Sequence, residues 1–182
     1  LNFENFITKE VISMENLFTS CYSLTSLDLS KFNTNKVNSM SRMFYSCSSL
    51  TSLNLLNFET NLVTNMENIF NGCTKLISLD LNNFNTEEVT DMSGMFQGCE
   101  SLETLKINNF NTSSVTKMEN MFNSCTNLST LNISSFNTQN CNNFNNMFEN
   151  CENMELYINE KISPNIRNNI PPYVTVYDIN NE

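Results

Sequence analysis

The sequence predicts an α/β repeat solenoid with one short parallel strand plus one short helix in each 26-residue rung. Three observations predict it. Cys21, Cys47, Cys73, Cys99, Cys125 and Cys151 recur every 26 residues, and a fixed period of that size marks a stacked array. Apolar columns keep the same register: Phe6, Phe32, Phe58, Phe84, Phe110 and Phe136 form one, and Phe18, Phe44, Phe70, Phe96, Phe122 and Phe148 another. Within each unit the apolar spacing changes from helical to alternating.

The helix comes first. From Val37, apolar residues fall at Met40, Met43, Phe44 and Cys47, the pattern of one helical face. After Cys47, Leu50, Leu53 and Leu55 end in the alternation of a brief strand. Next comes a turn such as "NFNT", where Asn favours the turn and Thr is suited to cap the following helix. Neither element buries its apolar face alone. Stacked units place Leu on Leu and Phe on Phe, so each rung supplies core to the next.

Six such units tile residues 1–156, with variants in the sixth: Cys141 replaces a column of Val, Phe144 a column of Met, and Met154 a column of Leu. The register slips near Leu156. Residues 157–182 carry Pro164, Pro171 and Pro172 and finish on "YVTVYDI", so they read as a C-terminal cap. Leu1 and Phe3 match the strand positions Leu27 and Leu29. The expectation is that the chain starts in mid-array and is a piece of a longer protein.

The unit "LTSLDLSKFNTNKVNSMSRMFYSCSSL" resembles the 26-residue repeat of BspA-like leucine-rich-repeat surface proteins, a class that includes bacterial and mycoplasma surface lipoproteins. The resemblance covers residues 1–156. It implies a right-handed leucine-rich-repeat-like solenoid, secreted or displayed on a cell surface and used for adhesion or host-protein binding.

Composition excludes other partners. Nineteen acidic residues against nine basic ones give a net charge of -10, which disfavours nucleic acid and anionic lipid surfaces, because both reward clustered Lys and Arg. No apolar run approaches the roughly eighteen residues of a membrane span, so direct insertion is not expected. The first ten residues lack a basic start and an apolar centre and are not a signal peptide.

Reactive chemistry is scarce as well. The chain has no His, which removes the commonest neutral-pH general base and a frequent zinc ligand. The three glycines make no phosphate loop. Carboxylates such as Glu87, Glu88, Glu100 and Glu103 fall on solvated positions with no pair singled out. Neither a cofactor nor a catalytic residue is expected. The cysteines read as small core residues, and helices 8–10 Å apart would hold them beyond disulfide reach. The Met and Phe stripes likewise read as core.

One exposed row remains. Strand residues between the core leucines face away from the core, which selects Asp28, Asn54, Asp80, Lys106 and Asn132, flanked by Ser26, Ser52, Ser78, Thr104 and Thr130. Such a ladder is the extended surface that solenoids use for partners; it is equally what any solvent-facing strand position requires. No aromatic anchor stands in this row. Asn111, Asn127 and Asn132 lie in N-x-S/T sequons, acceptors for glycans in a secreted eukaryotic protein. The expected function is a non-enzymatic surface or secreted module for adhesion or for binding an extracellular protein or glycan. The alternative is a structural stalk that displays a domain located elsewhere.

Overall fold

The computed structural model describes residue 3 and residues 6–179; Leu1, matched above to a strand position, lies outside them. The strands are short, parallel and stacked rung on rung. β1 (Ser78–Asp80) pairs with β2 (Thr104–Lys106), Ser78 opposite Thr104. β3 (Thr130–Asn132) pairs with β4 (Glu155–Ile158), and β4 with β5 (Thr175–Asp178), all parallel. A second line of parallel bridges joins Ser13, Ser39, Asn65, Asp91, Lys117 and Asn143 on another side of the stack.

The expected helix in each rung is absent from the described residues. Residues such as 15–20, 41–46 and 67–72 form runs of turns instead. Within a rung, Leu17 N donates to Met14 O at 3.3 Å and Cys21 N to Phe18 O at 3.2 Å, each closing a four-residue turn. The intervening amides leave the rung: Met14, Asn16, Phe18 and Ser20 donate to the carbonyls of Ser39, Ser41, Met43 and Tyr45 one rung on.

The reason is local. Two columns hold left-handed backbone: Asn16, Arg42, Asn68, Gly94, Asn120 and Asn146 in one, and Ser20, Ser46, Gly72, Gly98, Ser124 and Asn150 in the other, all with φ between 55° and 74°. A helix cannot hold such a residue twice per segment. Asn and Gly enter this region at least cost, and they occupy eight of these twelve positions. Apolar residues three and four apart, as in Met40, Met43 and Phe44, line one side of two consecutive turns as readily as one side of a helix.

Thr does not cap a helix either. The hydroxyls of Thr34, Thr86 and Thr112 each donate to the carbonyl and accept from the amide of a residue one rung on, Glu59, Asn111 and Asn137 respectively. These threonines are buried, so their hydroxyls replace water for backbone groups that would otherwise be orphaned.

The core is a set of parallel stacks. The rings of Phe44, Phe70, Phe96 and Phe122 stack nearly parallel, with successive centroids 5.7, 5.8 and 5.6 Å apart and interplanar angles of 3°, 11° and 9°. Columns of Val, Met, Cys and Leu complete it. The cysteines are free thiols, all buried except the half-buried Cys21. They lie on hydrogen-bonded rungs, not on packed helices, and five are held by a carbonyl of the preceding rung: Cys47, Cys73, Cys99, Cys125 and Cys151 donate Sγ–H to Phe18, Phe44, Phe70, Phe96 and Phe122 at 3.0–3.3 Å. Burial pushes the Cys47, Cys141 and Cys151 thiols up to about 11, and raises Cys73, Cys99 and Cys125 well above the ordinary thiol range.

The strand column continues past residue 156. Glu155 pairs with Thr130 25 residues earlier and with Thr175 only 20 residues later, so the rung between β4 and β5 is six residues shorter than the 26-residue rung. Its turn run is replaced by α1 (Pro164–Asn168), the one α-helix among the described residues. Ser163 caps α1 through Ile166 N, Pro164 opens it, and Ile166 is buried against the stack. Arg167 at its end pairs with Asp178 of β5 at 2.7 Å.

Candidate functional site

The five ladder residues lie on one face of the strand column, all exposed except the half-buried Asp80. Their side chains are also committed to the fold. Oδ1 of Asp28, Asn54, Asp80 and Asn132 accepts from the amide two residues on, at Ser30, Leu56, Asn82 and Ser134, at 2.9–3.1 Å. Each therefore closes an Asx turn after its strand.

Lys106 cannot do this, and two neighbours compensate. Its Nζ donates to Asp80 Oδ2 at 3.0 Å, and the amide of Asn108, left without an Asx partner, donates to Asn82 Oδ1 from the preceding rung at 3.1 Å. The Asn82 amide and then the Lys106 ammonium hold the Asp80 carboxyl below its ordinary range, and the Ser30 amide does the same for Asp28. Such exposed pairs contribute little to stability, but they order the charges along the face. A matching pair stands on the bridge line, Lys117 Nζ to Asp91 Oδ2 at 2.9 Å.

Beyond Asn132 the line of the ladder continues into two aromatic residues. The one-residue slip at β4 puts Tyr157 opposite Asn132, and the short rung puts Tyr177 opposite Tyr157. The two rings stack with centroids 4.9 Å apart and 15° between planes. Tyr177 is 41% exposed, and the Tyr157 hydroxyl donates to Glu155 Oε2 at 3.3 Å. Burial, then the Glu155 carboxylate, raises the Tyr157 phenol above its ordinary value. A strict 26-residue comparison hides this pair; pairing "ELYI" with "TVYD" as strands would have found it.

A second surface was missed entirely. Over the turn runs of the first four rungs lies an open cleft of about 420 Å³, lined by Thr19, Arg42, Tyr45, Asn68, Asn71 and Gln97 among others. Arg42 is held by Glu67 at 3.1 Å, and Asn71 Nδ2 donates to both Asn68 Oδ1 and Gln97 Oε1. The signal lay in the polar columns of the repeat, which apolar periodicity leaves unread. Among the described residues no group of three or more Cys, Asp or Glu side chains is arranged to hold a metal ion, and no helix is long and apolar enough to cross a membrane.

Short parallel strands stacked at a fixed sequence period, each rung feeding hydrogen bonds to the next, define a repeat protein of the stacked-rung kind. The chain belongs to the family described as "Mycoplasma protein of unknown function, DUF285", whose model matches residues 1–79 and 66–169. Comparisons with curated proteins and with solved structures find no match.

Proposed function

We propose that the chain is a non-enzymatic recognition module of a surface-displayed or secreted protein, of the BspA-like leucine-rich-repeat class with a right-handed coil. It binds an extracellular protein or glycan on its strand face. The observation that carries this reading is the Tyr157–Tyr177 stack at the end of the polar ladder, with Tyr177 exposed and Tyr157 half-buried. Tyr is enriched among residues that dominate binding energy, and an exposed ring beside amide and carboxylate groups offers an apolar platform with polar neighbours. The ladder's Asp28, Asn54, Asp80, Lys106 and Asn132 supply that polar margin, four of them held by Asx turns and Lys106 by its ion pair with Asp80.

A stalk is the second reading, favoured by the same Asx turns: ladder side chains spent on closing turns need no partner to explain them.

The test is a binding screen of the purified chain against extracellular matrix proteins, mucins and glycans, with Tyr177→Ala and Lys106→Ala variants of unchanged unfolding temperature. A specific partner lost on Tyr177→Ala supports the module and its site. No partner across the screen, with the protein folded, supports the stalk.

A further inference from the structure

The sixth turn run stands apart from the others. In the first five rungs the alternate amides of this run are satisfied by carbonyls one rung on, as when Met92, Gly94, Phe96 and Gly98 donate to Lys117, Glu119, Met121 and Asn123. In the sixth, the equivalent amides belong to Phe144, Asn146, Phe148 and Asn150. Asn150 donates to the Tyr173 hydroxyl at 3.0 Å. The other three have no acceptor among the described residues.

The cause is the six-residue shortening of the next rung. α1 and the segment after it replace a full turn run and leave a groove of about 250 Å³, walled by the sixth run on one side and by Ile166, Asn169 and Pro171 on the other. Met147 and Phe148 are buried in its floor, while Phe144 is only half-buried where the other rungs hold a buried Met. Just before the row, Asn143 Oδ1 is buried with no hydrogen-bond partner, although Asn65 and Asp91 in the same column accept from Glu67 and Ser93.

We propose that this groove binds an extended peptide segment of a partner protein, which pairs its alternate carbonyls with the amides of Phe144, Asn146 and Phe148 and sets apolar side chains between Phe148 and Ile166. The occupant is fixed by continuity: at five junctions of this chain the same row is covered by a polypeptide that presents a carbonyl on every second residue. An unpaired row of this kind is the edge that strand addition uses, with backbone bonds for affinity and side-chain pockets for selection. Glu149 and Glu152, with no Lys or Arg between residues 141 and 160, favour a segment with a flanking cation.

The probe is a peptide copying residues 117–124, which begins with a Lys and covers the equivalent row in the fourth rung. It is acetylated, amidated and fluorescently labelled, and is titrated into the whole chain with amide hydrogen exchange followed residue by residue. Saturable binding is expected, with exchange at Phe144, Asn146 and Phe148 slowed about tenfold or more. Asn169→Trp, which fills the groove from an exposed position, should weaken the peptide about tenfold or more without lowering the unfolding temperature. The proposal is overturned by no saturable binding, by protection elsewhere on the chain, by unchanged affinity in Asn169→Trp, or by slow exchange of those three amides in the free protein.

Discussion

The hydroxyl of Thr86 donates to the carbonyl of Asn111 at 2.9 Å and accepts from the amide of the same residue at 2.8 Å. One side chain thus substitutes for a backbone pair between rungs. Thr86→Val keeps the shape and removes both bonds, leaving an amide and a carbonyl without partners. A loss of about 1–3 kcal/mol is expected in denaturant unfolding; Thr86→Ser, which keeps the hydroxyl, should recover most of it.

Phe96 lies fully buried between Phe70 and Phe122. Phe96→Ala should cost roughly 3–5 kcal/mol. Phe6, about half exposed, serves as the contrast, and Phe6→Ala should cost much less. Equal losses in thermal unfolding at the two sites would show that the stack is not the core.

Stability should carry a shallow acid limb. Burial pushes Asp91 up, but the Lys117 hydrogen bond and the Ser93 amide outweigh it, so Asp91, like Asp80 and Asp28, titrates below its ordinary 3.8. A carboxylate lowered on folding contributes stability that is complete above the unfolded value and lost as pH falls through the folded one. Replacing Asp80 and Asp91 with Asn preserves the Asx turns, as Asn54 and Asn65 do elsewhere, and removes the charges. The wild-type advantage over that double variant should be constant from neutral pH down to about pH 4 and vanish below it. An advantage independent of pH throughout the acid range would assign it to packing.

Thiol labelling should be sharply ordered. Cys21 is half-buried, whereas the other six are buried: burial pushes the Cys47, Cys141 and Cys151 thiols up to about 11 and holds Cys73, Cys99 and Cys125 well above the ordinary thiol range. Since the thiolate is the reactive form, a thiol reagent near neutral pH should modify Cys21 first and the rest only at the rate of opening. Rapid modification of several thiols in the folded protein would contradict the stacked core.

Asn120, at φ 56°, tests the turn run. Asn120→Gly should be close to neutral, whereas Asn120→Ala should cost about 1 kcal/mol, because Ala pays for left-handed backbone that Asn and Gly tolerate. Were the segment helical the order would reverse, with Ala the better residue.

What could be read from sequence followed the periodicity. The 26-residue register of Cys21 through Cys151 located the stack, the strand column and the burial of the Phe and Met positions. The helix was misread because apolar spacing alone does not distinguish a helix from consecutive turns; Gly94 and Gly98, four apart in the middle of the segment, carried the missing information. The ladder was located but misjudged at its end. A one-residue slip before β4 and a shortened rung before β5 put Tyr157 and Tyr177 in line, and neither offset is visible to a comparison made at fixed period. The uncovered amides of the sixth run depend on which segment lies over them, a fact of tertiary arrangement that no local pattern records.

The direction of the turn-run hydrogen bonds makes that side of the stack electrically polar. On that side, amide after amide aims from one rung toward the next along the chain, so their peptide dipoles add head to tail as they do along a helix axis. The positive end of this row falls on the sixth rung, where Glu149 and Glu152 sit. A stack of near-identical rungs therefore has a direction, and a charged surface or partner approaching the sixth rung meets amide hydrogens rather than carbonyl oxygens.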